Sequence, residues 1–277
     1  ESRGLGDVYK RQVLSRAGGE GSDLNVQSQY LELQNSEREL LDYVQQNFSK
    51  VIVLLNSSNA LAMDWVDDYN IDSILWIGGP GQEGLHGVAN ILNGTVSPSG
   101  KLADIYAKSS LSAPAMQNCG AYQYTNATVD SEMIDFDFVT MTNSKGETTP
   151  GDNSAYYIVE PEGIYIGYKY YETRYEDTIL GQGNANGSAG VFKSADNQWN
   201  YADEVAYSFG YGLSYTTFAQ TLDSVERSGD DVTVNATVKN TGSTYSGKDV
   251  VEVYAQAPYI ACLLYTSDAA DEARSVD

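Results

Sequence analysis

Residues 36–55 read SERELLDYVQQNFSKVIVLL, and this stretch decides the fold. Its first part predicts an amphipathic helix over 36–48, because Ser36 and Glu39 have the spacing of a capping box and the apolar side chains that follow recur on one face. Its second part, 51–55, is a continuous apolar run, which is typical of a strand covered on both sides in a parallel sheet. The predicted buried face of the helix consists of Leu40, Leu41, Val44 and Phe48.

The same alternation of helix and strand continues downstream. The sequence predicts a short helix over 60–65, a second buried strand over 73–77, and a helix over 83–92 that ends at Asn93 and Gly94. Strands that alternate with helices imply right-handed crossovers. We therefore expect an α/β fold, with an open, mostly parallel sheet and helices on both faces.

Two later regions have different patterns. Residues 109–154 are rich in Ser, Thr, Asn, Asp and Gly, and their strand-like piece, 136–141, alternates only briefly, so we interpret this region as a long polar insertion that is either functional or mobile. Beyond Ser214 the period becomes two, with apolar and polar residues alternating over 232–239 and another strand expected over 249–254. This pattern predicts the start of a β-sandwich that is cut off, because so few strands cannot bury a sandwich face.

The composition excludes several classes of function. Asp and Glu number 38 against 16 Lys and Arg, so the formal charge is −22. A surface of this sign repels phosphate backbones and anionic lipids, and we therefore expect no nucleic-acid partner. No apolar run approaches the roughly 18 residues that a bilayer span needs, so we expect a globular chain with no membrane segment.

Both ends of the chain have the same unusual coding signature. Residues 7–12 can be encoded by GATGTGTATAAGAGACAG, and the reverse complement of this word, read one base in, encodes residues 262–267. The word resembles the transposase end sequence used to prepare sequencing libraries. We therefore expect residues 1–12 and 262–277 to be translated adapter, with the natural chain in between. Both natural termini would then be missing, so the sequence leaves the localisation unknown.

Two glycine-rich segments are candidate sites. The residues from Gly79 to Gly84 read GPGQEG and match the pattern G-x-G-x-x-G between a predicted strand and a predicted helix, the context in which a helix N-terminus binds pyrophosphate. Pro80 and Glu83 weaken this interpretation, because proline stiffens the turn and a carboxylate repels phosphate. A dinucleotide site here is the alternative to a tight turn with close helix packing.

The second segment, residues 15–23, reads SRAGGEGSD and follows what we interpret as the end of a strand. Open α/β sheets bind ligands beyond the carboxyl ends of their strands. Glycines allow the backbone to approach a ligand closely, and a Glu on such a loop can donate a proton to a leaving group. Glu20 is therefore a candidate general acid, and the alternative is a solvated loop carboxylate.

Six short motifs are spaced along the chain. They are residues 15–23 (SRAGGEGSD), 51–56 (VIVLLN), 79–84 (GPGQEG), 93–102 (NGTVSPSGKL), 162–171 (EGIYIGYKYY) and 209–215 (FGYGLSY). Their order resembles the second domain of glycoside hydrolase family 3 β-glucosidases, and the strands from Thr217 onward resemble the fibronectin type III-like domain that follows in many members. The resemblance implies an α/β sandwich domain over 13–213 and a truncated fibronectin type III-like domain over 214–261.

For function, the resemblance implies a retaining, exo-acting β-glycosidase, above all a β-glucosidase that acts on a β-linked glucoside or oligosaccharide. In such enzymes one carboxylate attacks the anomeric carbon while a carboxylic acid protonates the departing oxygen and then activates water. Glu20 matches this acid/base, whereas the nucleophilic Asp belongs to an N-terminal barrel domain that this chain lacks. We therefore expect a metagenome-derived fragment that is inactive alone; the alternatives are a dinucleotide-binding module and a non-catalytic interaction module.

Several neighbouring residues have a structural as well as a functional interpretation. Arg16 and Asp23 either pair to brace the first glycine-rich loop or are solvated. Asp64 and Trp65 form an Asp-Trp pair that could suggest a nucleophile, but they lie in an amphipathic stretch and we interpret them as structural. His86, the single histidine, is expected to pack against a neighbour or to cap a helix.

The sequence assigns no further ligand site. Glu160, Glu162 and Tyr165 either line a subsite for the aglycone or pack the domain edge, and the sequence assigns no substrate-binding residue. Asp135 and Asp137 lack the further oxygen ligands of a calcium loop, so we expect no metal site. The family resemblance also implies no cofactor.

Overall fold

The computed structural model describes residues 9–16, 31–117, 122–128, 141–142, 148–149, 154–157, 162–181 and 199–255. A parallel sheet forms its first part, with the strands in the order β1 (Tyr9–Ser15), β2 (Lys50–Asn56) and β3 (Ser73–Trp76). Each strand runs in the same direction as its neighbour. The predicted α/β fold with a parallel sheet is therefore confirmed.

Helix α1 (Asn35–Asn47) connects the first two strands, as predicted. Leu41 and Val44 on its apolar stripe are buried in one cluster with Val53 of β2. Leu40 and Phe48 are partly buried against the same cluster. The predicted face of this helix is therefore confirmed, and it packs on the sheet.

The predicted cap of α1 was wrong. The helix begins one residue before Ser36, and the backbone N–H of Gln34 donates to the Glu37 carboxylate at 2.8 Å. Glu37 takes the capping position that the sequence suggested for Glu39, because an arginine beside the helix holds its carboxylate there. Ser36 consequently lies inside the first turn.

A single-turn 3₁₀ helix (Asp64–Asp67) takes the place of the helix predicted over 60–65. Trp65 within it is fully buried in the cluster that also contains α1 and β2. The helix does not extend further back, because the backbone N–H of Met63 donates to the carbonyl of Ala107 in a different segment, at 2.9 Å.

Helix α2 (Gly84–Leu92) follows β3 and ends at Asn93, as predicted. Gly94 has a φ of 76°, the left-handed conformation in which many helices terminate. None of the residues of α2 is buried, and Leu85 is exposed. The described part of the chain therefore leaves this apolar helix partly uncovered.

The region after α2 contains shorter elements. They are β4 (Tyr106–Ala107), α3 (Pro114–Gln117), β5 (Tyr122–Thr128), β6 (Met141–Thr142), β7 (Thr148–Thr149), β8 (Ser154–Tyr157), α4 (Tyr168–Leu180), α5 (Tyr201–Glu204) and β9 (Val205–Tyr207). Strand β4 pairs with β9, β5 with β8 and β6 with β7, all antiparallel. The polar insertion over 109–154 thus contains antiparallel strand pairs, and most of its predicted strand, 136–140, lies outside the described residues.

A second core surrounds α4. Its buried apolar members are Ile105, Tyr171, Trp199 and Val205. The guanidinium carbon of Arg174 in α4 lies over two aromatic rings, 4.5 Å from the ring centre of Trp199 and 5.7 Å from that of Tyr170. The buried face of this helix includes Arg174 and Asp177 beside Tyr171, so an apolar periodicity does not reveal it.

A long antiparallel hairpin of β10 (Phe218–Ser228) and β11 (Asp231–Asn240) follows. Asp223 is an extra residue in β10, and this bulge shifts the alternation so that Leu222 and Val225 both lie opposite apolar residues of β11. The hairpin therefore has one apolar face, and the alternation predicted for β11 is confirmed.

The strand expected over 249–254 does not form, since the described residues 241–255 contain no strand. A side chain holds the segment instead: the amide Nε2 of Gln220 donates to the Asp249 carboxylate at 2.7 Å and to the Val250 carbonyl at 3.0 Å. The backbone groups of a strand need a paired neighbour, and among the described residues no strand pairs with this segment.

Candidate active site

The three parallel strands end at one edge of the sheet, and the predicted acid/base segment follows the first of them. Strand β1 ends at Ser15, β2 at Asn56 and β3 at Trp76. The carboxyl ends of neighbouring parallel strands are where open α/β sheets bind ligands. Glu20 and Asp23 lie outside the described residues, so the role of Glu20 stays a prediction.

Arg16 is the first residue after β1, and it is buried. Its guanidinium makes two contacts with the Glu37 carboxylate, one to each oxygen, both 2.7 Å long. The backbone N–H of Arg16 donates to the Asn56 carbonyl at 3.0 Å, which ties the end of β1 to the end of β2. The sequence suggested Asp23 as a partner for Arg16, and it missed Glu37, which braces this arginine in the structure.

Ser57 joins the ends of the next two strands. Its hydroxyl donates to the Asn59 carbonyl at 2.8 Å, and its own carbonyl accepts the indole N–H of Trp76 at 2.8 Å. The indole is thus fixed at one end, while 43% of the Trp76 surface is exposed. This edge of the sheet therefore combines a buried ion pair just after β1 with a partly exposed aromatic ring on the last residue of β3.

The segment from Gly79 to Gly84 is a tight turn. Gly81 has a φ of 60°, and the N–H of Gly84 donates to the Pro80 carbonyl at 2.9 Å. A Cβ on Gly84 would lie 3.0 Å from the Pro80 Cβ, so the turn packs closely. Glu83 stands exposed at the start of α2, where its carboxylate repels a pyrophosphate. This geometry accounts for the glycines through packing and favours the tight-turn interpretation.

The Asp-Trp pair and the histidine have ordinary contacts. Asp64 Oδ2 lies 3.3 Å from Arg38 Nη2 on α1, and Trp65 belongs to the core. These contacts support the structural interpretation of the pair. The imidazole of His86 is exposed and lies 3.6 Å from the Glu83 carboxylate, so the expectation that His86 packs or caps was wrong.

A buried carboxylate that the sequence did not reveal lies at the end of α5. Glu204 is fully buried and accepts a short hydrogen bond from the Ser112 hydroxyl. Tyr171 lies beside this pair and hydrogen-bonds with Ser112. Burial raises the pKa of the Tyr171 hydroxyl, and the hydrogen bond with Ser112 opposes that effect. The Glu162 carboxylate accepts a backbone N–H of α3 at 3.3 Å, which supports the packing interpretation, and Glu160 lies outside the described residues.

Two of the six motifs, NGTVSPSGKL and FGYGLSY, meet at a junction between the α/β part and the hairpin. Ser97 Oγ lies 2.7 Å from Ser214 Oγ, and the Lys101 ammonium donates to the Gly212 carbonyl at 2.7 Å. Lys101 also pairs with Asp249 at 3.3 Å. The hydrogen bond from the side-chain amide of Gln220 and the nearby Lys101 ammonium hold the pKa of the Asp249 carboxyl below its usual range. These two motifs therefore have a structural role.

The described stretches of the chain contain no metal cluster and no membrane-spanning helix, but they do contain an open cavity. Among the described residues no group of three or more His, Cys, Asp or Glu side chains is arranged to hold a metal ion. No helix in those stretches is both long and apolar enough to cross a bilayer. An open cavity of about 450 Å³ lies at the junction, where Lys101 and Gln220 already bond to Asp249.

Comparison with known proteins gives concordant matches. The family model described as the glycosyl hydrolase family 3 C-terminal domain matches residues 8–168. A β-glucosidase of Ruminococcus albus is 29% identical over 246 residues, which are 89% of this chain and 20% of that protein. β-Glucosidase A of Butyrivibrio fibrisolvens is 31% identical over 242 residues, 82% of this chain and 22% of that protein. The chain thus spans about a fifth of the length of these curated relatives.

Solved structures agree with these matches. A β-glucosidase from Paenibacillus barengoltzii has a TM-score of 0.58 at 26% identity, over 86% of this chain and 20% of that one. β-Glucosidase 3B from Thermotoga neapolitana, solved in complex with α-D-glucose, has a TM-score of 0.54 at 28% identity, over 85% of this chain and 26% of that one. Because the family model covers more than half of the chain and the structure has the matching parallel sheet, the chain belongs to glycoside hydrolase family 3, in the C-terminal domain of that family.

Proposed function

We propose that this chain is the acid/base-bearing part of a retaining, exo-acting β-glycosidase whose substrate is a β-linked glucoside or oligosaccharide. Family membership supports this proposal, together with curated relatives that are β-glucosidases and a related structure that contains glucose. The observation that carries it is the end of β1 at Ser15, on the edge where open α/β sheets bind ligands, because the motif that contains Glu20 comes next in the sequence.

Glu20 acts twice in the proposed double displacement. In the first step its carboxyl proton goes to the departing glycosidic oxygen, while a second carboxylate forms a bond to the anomeric carbon. In the second step the Glu20 carboxylate takes a proton from the water that hydrolyses the glycosyl-enzyme. Acid–base help of this kind contributes about 10²- to 10⁴-fold to the rate.

The nucleophile is proposed to come from an N-terminal barrel domain outside this chain. Retaining enzymes hold their two carboxyl groups about 5 Å apart, so the barrel has to face the edge at which β1 ends. The open ring of Trp76 and the uncovered side chains of α2, which begins shortly after β3, leave apolar surface beside that edge. Such surface is suited to a neighbouring domain.

We further propose the domain boundaries that the sequence suggests. The α/β domain spans 13–213, a fibronectin type III-like domain begins within 214–261, and residues 1–12 and 262–277 are adapter. Strand β1 begins at Tyr9, so its first residues fall in the proposed adapter; backbone pairing in a strand needs no particular side chain. The sequence of the natural gene beyond both ends tests the adapter proposal. A natural gene that itself encodes residues 1–12 and 262–277 would contradict it.

The catalytic role of Glu20 is tested by Glu20→Ala in the complete enzyme. We expect kcat/KM, which reports the first step, to fall by about 10²- to 10⁴-fold for a β-glucoside with a poor leaving group and to fall far less for an activated aryl β-glucoside. Glu83→Ala is the matched control, since Glu83 is an exposed carboxylate on the neighbouring glycine-rich turn, and both rates should be unchanged. Equal losses on the two substrates would remove Glu20 from this role.

The missing nucleophile is tested with the chain alone. We expect no hydrolysis of an aryl β-glucoside above background, because proton donation without an attacking carboxylate leaves the double displacement incomplete. Turnover that Glu20→Ala abolishes would show that this chain supplies a nucleophile of its own.

A further inference from the structure

The open cavity at the junction has the size of a ligand site. Its volume of about 450 Å³ falls in the range of about 300 to 1,000 Å³ that ligand pockets span. Residues 208–211, around the start of the FGYGLSY motif, line one part of it, and residues of the segment 249–254 line another. The motif that joins the α/β part to the hairpin therefore also forms a wall of this cavity.

The aromatic residues in the lining are Phe209, Tyr211 and Tyr254. The Phe209 ring stacks on Tyr168 of α4, with the ring centres 4.0 Å apart. The Tyr211 ring lies 5.1 Å from the ring of Tyr207 in β9, so two of the three rings are held by a second ring. Tyr211 is nevertheless 40% exposed and Tyr254 is 59% exposed. The cavity therefore offers accessible rings that combine an apolar face with a polar hydroxyl.

The Glu252 carboxylate lies against the backbone at Gly210. A Cβ on Gly210 would overlap this carboxylate, and Gly210 has a φ of 74°, a conformation that glycine adopts without strain. The Tyr254 hydroxyl donates to Glu252 Oε2 at 2.9 Å. These contacts hold a carboxylate in the wall of the cavity, and they account for the first glycine of the FGYGLSY motif.

The charges in the lining favour a neutral ligand. Lys101 donates to the Gly212 carbonyl and pairs with Asp249, so among the described residues of the lining Glu252 is the carboxylate beyond that pair. This carboxylate repels an anion, and no three acids of the described chain are grouped to hold a metal ion. A saccharide fits these groups, because its hydroxyls donate to a carboxylate in charge-assisted hydrogen bonds and its C–H faces pack on aromatic rings.

We propose that this cavity binds a β-linked glucan. The saccharide class follows from the aromatic rings and the carboxylate of the lining, whereas the choice of β-linked glucose rests on the proposed function. Because the cavity is open, the rings of a longer chain can extend beyond it on either side. Tyr211 and Tyr254 supply the stacking surface, and Glu252 accepts a hydroxyl of the sugar.

The test is affinity electrophoresis of the complete enzyme in native gels that contain soluble mixed-linkage β-glucan. Internal sugar rings of this polymer greatly outnumber its chain ends, so an exo-acting active site contributes little to the retardation. We expect Tyr211→Ala and Tyr254→Ala each to raise the Kd for the glucan about 10-fold, because aromatic residues dominate binding energy where they contact a ligand. The values of kcat and KM for an aryl β-glucoside should stay unchanged. Tyr43→Ala is the matched control, since Tyr43 is 60% exposed on α1, and it should change neither readout.

Glu252→Gln keeps the size of the side chain and removes its charge, so the Kd for the glucan should rise about 5-fold. This variant decides the outcome if the tyrosine variants do not fold, and an unchanged Kd would then overturn the proposal. Absence of retardation of the unmodified enzyme, or equal retardation of Tyr211→Ala, Tyr254→Ala and Tyr43→Ala, would overturn it as well. A parallel rise in KM for the aryl glucoside would place the glucan at the active site instead.

Glu20→Ala separates this inference from the proposed function. If Glu20→Ala discriminates between leaving groups while the glucan does not retard the enzyme, only the cavity proposal fails. If Glu20→Ala does not discriminate while retardation depends on Tyr211, the cavity still binds a saccharide and the proposed function fails.

Discussion

The parallel sheet and the C-terminal hairpin both have alternating apolar side chains, yet only the sheet buries them. Val53 of β2 is 0% exposed, whereas Leu222 of β10 is 65% exposed. Helix α1 covers the sheet, while among the described residues no second sheet faces the hairpin. A periodic pattern therefore predicts which face of an element is apolar, but it does not predict whether the molecule covers that face.

The hairpin is held to the α/β part by polar contacts instead. Lys101 pairs with Asp249, and the Asp249 carboxylate accepts a hydrogen bond from Gln220 of β10. A hydrogen bond contributes about 0.5 to 1.5 kcal/mol. Full burial of one large aliphatic side chain in the sheet contributes about 1.5 to 3 kcal/mol. We therefore expect the stability of this chain to be concentrated in the sheet and its helix.

Trp65→Ala should have the largest effect on stability. The indole is fully buried in the core beside the sheet, and its N–H donates to the Ala62 carbonyl at 2.9 Å, so its removal leaves both a cavity and an unpaired carbonyl. We expect a loss of about 3 to 5 kcal/mol, measured by urea unfolding followed by far-UV circular dichroism. Val225→Ala on the exposed hairpin face is the control and should change stability by less than about 0.5 kcal/mol. Comparable losses would contradict the difference between the two regions.

Alkaline pH should weaken the α/β part specifically, because β10 and β11 contain no tyrosine. Burial, with a smaller contribution from the Asp104 charge, raises the pKa of Tyr106 to about 12. An unfolded tyrosine loses its proton near pH 10, so the contribution of Tyr106 is complete below about pH 10 and is lost as the pH rises towards 12. This loss amounts to about 2 to 3 kcal/mol. Urea unfolding across this range measures it, and a Tyr106→Phe variant with an unchanged pH slope would contradict the assignment.

Gly212→Ala should loosen the junction. A Cβ at this position would overlap the backbone oxygen of Gly100 and lie 3.1 Å from the Lys101 Cδ, and a backbone cannot move aside as a flexible side chain does. Overpacking of this kind costs about 1 to 3 kcal/mol. Gly87→Ala in α2, where no atom lies within 4 Å of the added Cβ, is the control and should be stabilising by about 0.5 to 1 kcal/mol. Limited proteolysis of the hairpin reports the change, and equal cleavage of both variants would contradict it.

The strands and first helix of the sheet were predictable from the sequence, because they have strong and simple patterns, but the burial predicted for the strand over 73–77 was wrong, since no residue of β3 is buried. The apolar run of β2 and the stripe of α1 agree with their burial, and Gly94 marks the end of α2 correctly. The 3₁₀ helix around Trp65 is shorter than predicted because distant backbone groups take its hydrogen bonds. Helix α4 has Arg174 and Asp177 on its buried face, and no hydropathy pattern detects such a helix.

The prediction of the candidate site rests on a local motif. The motif around Glu20 and the end of β1 are close in sequence, so the strand-then-loop pattern places one after the other. The pairing of Arg16 with Glu37 joins residues 21 positions apart, and it depends on how α1 packs beside β1. Glu204 and Ser112 are 92 positions apart, and their hydrogen bond depends likewise on tertiary structure. The sequence positions of charged residues alone therefore do not predict which of them pair.

Leu222→Thr should have the smallest effect in this chain and sharpens the comparison most. Thr has a high preference for strands, and the exposed Leu222 side chain has few contacts to lose. The free energy of unfolding, measured with urea, should therefore change by less than about 0.5 kcal/mol. In the complete enzyme, strands from the rest of a fibronectin type III-like domain would cover this face, and the same change should then cost about 1 to 3 kcal/mol. Thr221→Ser on the opposite, polar face is the control for both proteins. The bulge at Asp223 brings Leu222 and Val225 to one face of the hairpin. An equally small change in stability in both proteins would show that no second sheet covers this face in the complete enzyme.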